Sequence, residues 1–417
     1  MEDLFKKIYN NKGDIGKWAS LAEGYFVFPK LEGPISNRMR FNGKEIIIWS
    51  VNDYLGLANH PEVRKIDSDA SKEYGSAYPM GARMMSGHTS MHEELESKLA
   101  SFVSKESTYL LNFGYQGVLS IIDTLVSKND IIVYDIASHA CIVDGARLHL
   151  GKRFTYQHNN MKSLEKNLIR ATKIAEQTGG GILVITEGVF GMRGEQGKLK
   201  EIVKLKDKYK FRFLVDDAHG FGTLGKTGAG TGEEQNVQDN IDLYFATFAK
   251  SMASTGAFIA GDIEIIEYLK YNMRSQMFAK SLQMQLVIGV IKRLEILQKN
   301  TKLKDKLWEN VTIIQKGLKD RGFDIGNTQS CVTPVYLEGS IPEAMALVRD
   351  LRENYHIFCS IVVYPVIPKG LILLRLIPTA SHTIEDINLT LEAFGEIRKK
   401  LKKGIYKKIS ASIETSN

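Results

Sequence analysis

The chain has 417 residues, enough for two or three packed units at about 100–200 residues each. Hydrophobic content of 43% beside 25% charged residues excludes disorder and collagen-like repeats, and no run of about 18 uncharged apolar residues is present to cross a membrane. The net charge of +7 leans basic, but much of the excess sits in one run, Arg398-Lys399-Lys400-Leu401-Lys402-Lys403 through Lys407-Lys408, which reads first as a solvated helix end.

The opening residues, Met1 to Asp14, are charged throughout and hold no signal-peptide core. Three scattered cysteines, Cys141, Cys331 and Cys359, form no CxxC pair and suit a reduced compartment. A cytoplasmic chain is expected, with no nucleic-acid partner. The basic run leaves open a peripheral contact with anionic lipid at the inner membrane face, or attraction to a phosphorylated acyl carrier.

Residues 1–50 mix polar and aromatic residues and read as an N-terminal arm. From Val51 onward short β-branched runs alternate with amphipathic stretches. Asp130 to Tyr134, Gly181 to Thr186 and Phe211 to Val215 are apolar on both faces, as central strands of a parallel sheet are. Helical spacing lies between them, over Ser163 to Glu176 and Lys198 to Lys208. This alternation predicts an α/β domain over 51–295 with a mostly parallel central sheet. Its active site belongs at the carboxyl ends of the strands. A helical stretch near 280–300 leads into a smaller α+β C-terminal domain, 296–417. Strands are expected there at Val332 to Leu337 and Leu371 to Leu376. The last helix is expected to open at Thr383-Ile384-Glu385-Asp386, a capping-box pattern.

Three features compete for the chemistry. Gly220 to Thr227 matches the phosphate-loop pattern G-x-x-x-x-G-K-[ST]. Its continuation, Gly228-Ala229-Gly230-Thr231-Gly232, is unsuited to starting the helix such a loop needs, so nucleotide hydrolysis stays an alternative of another class. His88 and His92 stand at zinc-ligand spacing, but Thr89 occupies the place of the usual Glu, and no metal is expected. The third is a pair of strand ends: Asp216 and His219 after one apolar strand, Lys250 after another. A lysine among Ala249, Ser251 and Gly256 can be desolvated and suited to Schiff-base chemistry.

Around these residues lie Asn52-Asp53-Tyr54-Leu55-Gly56-Leu57, His92 to Glu96, Ser138-His139-Ala140 with Asp144-Gly145, and Glu187 to Phe190. Asp216 to Gly220, Gly228-Ala229-Gly230, Thr247 to Ser251 and Leu374-Arg375 follow. In this order they resemble the α-oxoamine synthase family of pyridoxal-phosphate enzymes, over about Asn52 to His382. The resemblance implies an aspartate-aminotransferase-like (type I) large domain and, by family habit, a homodimer.

It also implies roles. Lys250 holds the cofactor aldehyde and then works as acid and base at the substrate Cα. Asp216 faces the pyridine nitrogen, His219 the phenolic oxygen, and His139 stacks on the ring. Gly114, Tyr115 and Thr247 meet the phosphate, with Ser281 a contact from the segment Phe278 to Ser281 of the neighbouring subunit. Arg375 clamps the amino-acid carboxylate, with Asn52 at the same end and Arg83 a further substrate contact. Asn112, Phe113, Val118, Gly191 and Ala249 depart from the usual family residues.

The implied activity is decarboxylative condensation of an amino acid with a long-chain acyl thioester to an α-amino ketone. The donor is acyl-CoA or an acyl carrier protein. The nearest branch is serine palmitoyltransferase-like, with condensation of cysteate or a glycine C-acetyltransferase as alternatives.

Overall fold

The computed structural model describes residues 3–9, 13–16, 22–364 and 366–414. Contacts divide the chain into two compact units, Asn52–Leu307 and Met1–Val51 with Trp308–Asn417. The sequence reading set residues 1–50 apart and placed the step between large and small domains at 295; the contacts gather the first 51 residues with the C-terminal part and carry the other unit to Leu307.

In chain order the strands are β1 (Leu31–Glu32), β2 (Arg38–Phe41), β3 (Lys44–Ile48), β4 (Ser107–Leu111), β5 (Ile131–Asp135), β6 (Lys152–Tyr156) and β7 (Ile182–Glu187). There follow β8 (Arg212–Asp216), β9 (Leu243–Thr247), β10 (Ala257–Gly261), β11 (Thr333–Glu338), β12 (Ile357–Phe358), β13 (Ser360–Val362) and β14 (Leu371–Leu376).

In the unit Asn52–Leu307 the described residues form a seven-stranded sheet in the order β4-β10-β9-β8-β7-β5-β6. Strands β5 to β9 run parallel, and β10 is antiparallel to both of its neighbours. Strands β5, β7, β9 and β10 are buried at every position, which is why their sequences are apolar on both faces rather than alternating. The helices Gly114–Leu125 and Ala140–Leu148 lay Ile121, Ile122, Ile142 and Ala146 against Ile132, Ile185 and Leu214 in one apolar core.

Met161–Thr178 covers the stretch expected at Ser163 to Glu176. Asn160 caps it by accepting the Ser163 N–H at 3.0 Å, and Gly179 closes it at φ 71°. There the left-handed conformation costs glycine least. The register pairs Glu187 with Asp216 and Asp216 with Phe245, so the carboxyl ends of β7, β8 and β9 finish side by side.

In the other unit β3 pairs in parallel with β12, Ile47 opposite Ile357, and antiparallel with β2. A separate antiparallel sheet runs β11-β14-β13. Trp49, Ile314, Leu347, Leu374 and Phe394 share its core. The capping box at Thr383 is present: its side chain accepts the Asp386 N–H at 3.1 Å and Asp386 accepts the Thr383 N–H at 3.0 Å, opening the helix Ile384–Lys402.

Cations of the basic run are partly used at home. Lys400 bonds Asp350 at 2.8 Å and Lys399 bonds Glu396 at 2.6 Å. Among the described residues no helix is long and apolar enough to cross a membrane.

Candidate active site

Each central strand of the larger unit ends in a side chain with chemistry. After β4 the chain turns through Asn112 and Phe113 into the helix Gly114–Leu125, whose first turn receives no side-chain cap. Other helices here are capped by Thr89 and Asn160. An uncapped N-terminus leaves backbone N–H groups and the positive end of the helix dipole for an anion. Thr247, the last residue of β9, stands against it. A Cβ at Gly114 would lie 3.1 Å from Thr247 Oγ1 and 3.2 Å from its Cβ, so glycine keeps this cradle open. The Thr247 hydroxyl donates to Gly256 O at 3.0 Å and accepts the Ala249 N–H at 3.2 Å.

Strand β5 leads to His139, which serves as N-cap of the helix Ala140–Leu148. Its backbone N–H donates to Glu187 Oε1 at 2.6 Å. Its imidazole keeps an exposed side, and Tyr115 meets it edge-on with ring centroids 6.0 Å apart. Tyr115 itself donates its hydroxyl to Asp144. Burial holds the His139 imidazole below its ordinary pKa, with the Asp216 carboxylate opposing and the Lys250 charge adding.

Asp216 closes β8, and one of its oxygens accepts the Ala218 N–H at 3.1 Å. Desolvation raises its pKa, opposed first by the charge of Lys250. Glu187, fully buried beside it, is pushed well above the usual carboxylate range by burial and by Asp216. Three residues after Asp216, His219 Nδ1 and the Tyr54 hydroxyl lie 2.6 Å apart. Gly191 runs against that ring: a Cβ there would stand 2.1 Å from His219 Nε2. The departure at Gly191 thus has a steric reason. Lys250 is half-buried after β9, and its charge acts on Asp216, His139 and Glu187 together.

The structure therefore brings together Gly114, Tyr115, His139, Asp216, His219, Thr247 and Lys250 at the carboxyl ends of β4, β5, β8 and β9. Four other expected residues have different surroundings. Arg83 places Nη1 and Nη2 on Glu96 at 2.8 and 3.0 Å and Nε on His88 Nδ1 at 2.9 Å, with its guanidinium over the Tyr109 ring. Its fork is thus filled by a carboxylate of its own chain. Ser281 is buried and donates its hydroxyl to Gly81 O at 3.0 Å. Its neighbour Lys280 accepts at its carbonyl the Asn112 Nδ2–H at 2.7 Å, which holds this segment beside the turn after β4. Asn52 is half-buried, its carbonyl accepting the Tyr54 N–H at 2.9 Å. Arg375 lies buried in β14 of the other unit, opposite Pro334 and Ser360.

Both competing motifs have other uses. In the loop from Gly220 to Thr227 and just beyond, the Gly225 N–H donates to Glu234 at 3.0 Å, and the Thr227 and Ala229 N–H groups donate to Glu233 at 3.0 Å. Its amides hold carboxylates of the chain itself, and the helix that follows, Thr231–Glu234, is four residues long. His88 meets Glu93 at 2.8 Å, whereas His92 is buried between the Thr89 hydroxyl at 2.7 Å and Leu282 O at 3.0 Å. The two rings do not converge on a common point of coordination.

Sequence reasoning gave no role to Tyr54, Glu187 or Cys141. Tyr54 and Glu187 lay inside quoted motifs, each beside a glycine-bearing turn. Cys141 gave no signal, since a lone cysteine in a helix reads as a small apolar residue.

The donor set suits pyridoxal phosphate. An uncapped helix start with a glycine-kept space and a threonine hydroxyl suits a phosphate. A buried carboxylate suits a protonated ring nitrogen, and a lysine amine beside it suits an aldehyde.

Comparison with known proteins agrees. The family model described as aminotransferase class I and II matches residues 44–394. A cysteate-C-fatty acyltransferase of Capnocytophaga ochracea is 70% identical over 413 residues, 99% of this chain and 98% of that protein. A serine palmitoyltransferase of Sphingobacterium spiritivorum is 35% identical over 368 residues, covering 88% of this chain and 90% of that one. Among solved structures, a serine palmitoyltransferase of S. paucimobilis with bound PLP and myriocin superposes with a TM-score of 0.88 at 28% identity, covering 96% of this chain and 100% of that one. With fold, donor set and likeness in agreement, the chain belongs to the class I and II aminotransferase family and, within it, to the pyridoxal-phosphate-dependent acyltransferases called α-oxoamine synthases.

Proposed function

We propose that the chain condenses cysteate with a long-chain fatty acyl thioester, releasing carbon dioxide and the free thiol and giving a sulfonated α-amino ketone. The carrying observation is the 70% identity to the Capnocytophaga ochracea cysteate-C-fatty acyltransferase across nearly the whole of both chains. Serine as the amino acid is the second reading, favoured by the likeness to serine palmitoyltransferases in sequence and fold. The chemistry is the same in both, and the difference lies in the substrate side chain.

When bound, pyridoxal phosphate supplies an electron sink for the negative charge developed at the substrate Cα. Thr247 and the amides of Gly114 and Tyr115 hold its phosphate, with Ser281 a further contact. Asp216 keeps a buried negative charge at the ring nitrogen, and His219 donates toward the phenolic oxygen. His139 covers one face. Lys250 takes the proton from Cα and returns one after carbon dioxide has left, while Arg375, with Asn52, holds the substrate carboxylate so that the breaking bond keeps its orientation. Because Arg83 is engaged by Glu96, we place it in the wall behind the site rather than on the substrate. A cytoplasmic homodimer using acyl-CoA or an acyl carrier protein is the form we propose.

The test is product formation with cysteate, serine, glycine and alanine, each offered with palmitoyl-CoA and followed by mass spectrometry. Cysteate should give the highest kcat/KM, and Lys250→Ala should abolish product while remaining folded. Preference for serine would select the second reading, and undiminished turnover by Lys250→Ala would refute the mechanism.

A further inference from the structure

Cys141 is buried in the first turn of the helix that His139 caps. Its backbone N–H donates to His139 Nδ1 at 3.3 Å, its Sγ lies 2.9 Å from the same nitrogen, and Asp216 Oδ2 is 3.8 Å from that sulfur. These contacts determine more than proximity. An amide N–H can only donate, so it favours a bare Nδ1 with the hydrogen of the neutral imidazole on Nε2, but at 3.3 Å it biases the tautomer without fixing it alone.

The thiol has a single hydrogen and two acceptors in reach. Burial, with Asp216 and Glu187 adding, raises the thiol pKa, so that hydrogen is retained. It is directed at the nearer acceptor, Nδ1, leaving the Asp216 carboxylate unprotonated by this neighbour. The groups facing His139 from other elements are Glu187 at the end of β7, Asp216 at the end of β8, Tyr115 on the helix after β4 and Lys250 after β9. Glu187 is engaged at the His139 backbone rather than at the ring. The tautomer is therefore set from the Cys141 side.

We propose that Cys141 is a positioning residue that fixes the stacking histidine in its Nε2–H tautomer by directing both its N–H and its S–H at Nδ1. The consequence is chemical. The amino-acid carboxylate and the thioester carbonyl present only acceptors, so an imidazole with a bare Nε2 would oppose them, whereas Nε2–H donates. The inference concerns the family reaction and is independent of which amino acid is used.

The test is a long-range proton–nitrogen spectrum of the cofactor-free protein labelled at histidine nitrogen, with His139 assigned from its absence in His139→Asn. Wild type and Cys141→Ser should both show a bare Nδ1 and a protonated Nε2. Cys141→Val should show a mixture of tautomers, and its kcat/KM should fall about tenfold, the equivalent of one lost hydrogen bond. Cys141→Ser should recover to within about twofold of wild type, since a hydroxyl donates in the same place. A protonated Nδ1 in wild type would overturn the proposal. So would Cys141→Val matching wild type in spectrum and rate, or Cys141→Ser performing no better than Cys141→Val. If Cys141→Val fails to fold, the wild-type and serine spectra still decide it.

Discussion

Replacing Arg83 with methionine separates a structural cation from a substrate-binding one. In the structure Arg83 Nη1 and Nη2 reach Glu96 at 2.8 and 3.0 Å, with side-chain exposures of 6% and 13%. Glu96 Oε1 also accepts the Leu110 N–H at 2.9 Å, tying the pair to the edge strand β4. Methionine fills much of the volume but leaves a buried carboxylate without its cation, which costs about 3–5 kcal/mol. For a unit the size of Asn52–Leu307 that lowers the melting temperature by roughly 6–10 °C. The double variant Arg83→Met with Glu96→Met removes both charges together and should recover most of the loss. Calorimetry of wild type and the two variants measures this, and steady-state kinetics of Arg83→Met below its melting point should give an amino-acid KM within about twofold of wild type. An unchanged melting temperature with a KM raised tenfold or more would refute the reasoning. It would restore Arg83 to the substrate, as the sequence alone suggested.

Two further outcomes follow from local geometry. Gly114→Ala places a Cβ 3.1 Å from Thr247 Oγ1; the crowding should weaken cofactor binding by about 1–3 kcal/mol, roughly ten- to a hundredfold in Kd, read by absorbance titration of the cofactor-free protein. His382 is buried against Trp49 at 4.0 Å, with Nδ1 accepting the Thr379 N–H at 3.0 Å and Nε2 donating to Ile48 O at 3.0 Å, and burial lowers its pKa to about 4. In the unfolded chain it takes a proton near pH 6.5, so its contribution is present above that pH and is lost as pH falls toward 4, by about 2 kcal/mol at pH 5. Urea unfolding at pH 7 and pH 5 should show His382→Gln losing less stability than wild type over that interval. An equal loss in both would be the contrary result.

Much of the larger unit is legible because burial on both faces leaves little choice of residue. Strands such as Ile131–Asp135 and Ile182–Glu187 announce themselves as short apolar runs, and the helical spacing over Ser163 to Glu176 falls within the helix Met161–Thr178. What local pattern cannot supply is pairing at a distance. Nothing in Ile46-Ile47-Ile48 says that it will run parallel to Ile357 and Phe358, nor does Ala257–Gly261 disclose that it alone reverses direction between β4 and β9. The same limit applies to the site. Lys250, Asp216 and His139 were visible because each ends an apolar strand within a motif. The Arg83–Glu96 pair and the place of Cys141 beside His139 and Asp216 were not legible, because such contacts are decided by a distant partner. Glu96 stands thirteen residues from Arg83 in one case, and Asp216 lies seventy-five residues from Cys141 in the other.

The glycine loop at Gly220 and the helix start at Gly114 are both places where backbone amides gather, yet only one is still receptive. At the first, Glu233 and Glu234 act as a built-in stopper, so the loop's positive field is quenched before any solute arrives. At the second, the N-cap residue Phe113 makes no side-chain hydrogen bond to the first turn. Between these two places a phosphate monoester entering from solution meets an unequal choice, and is sorted toward the strand ends where Lys250 and Asp216 wait. Selectivity of this kind comes from closing the rival harbour, and it would survive changes in the substrate's side chain untouched.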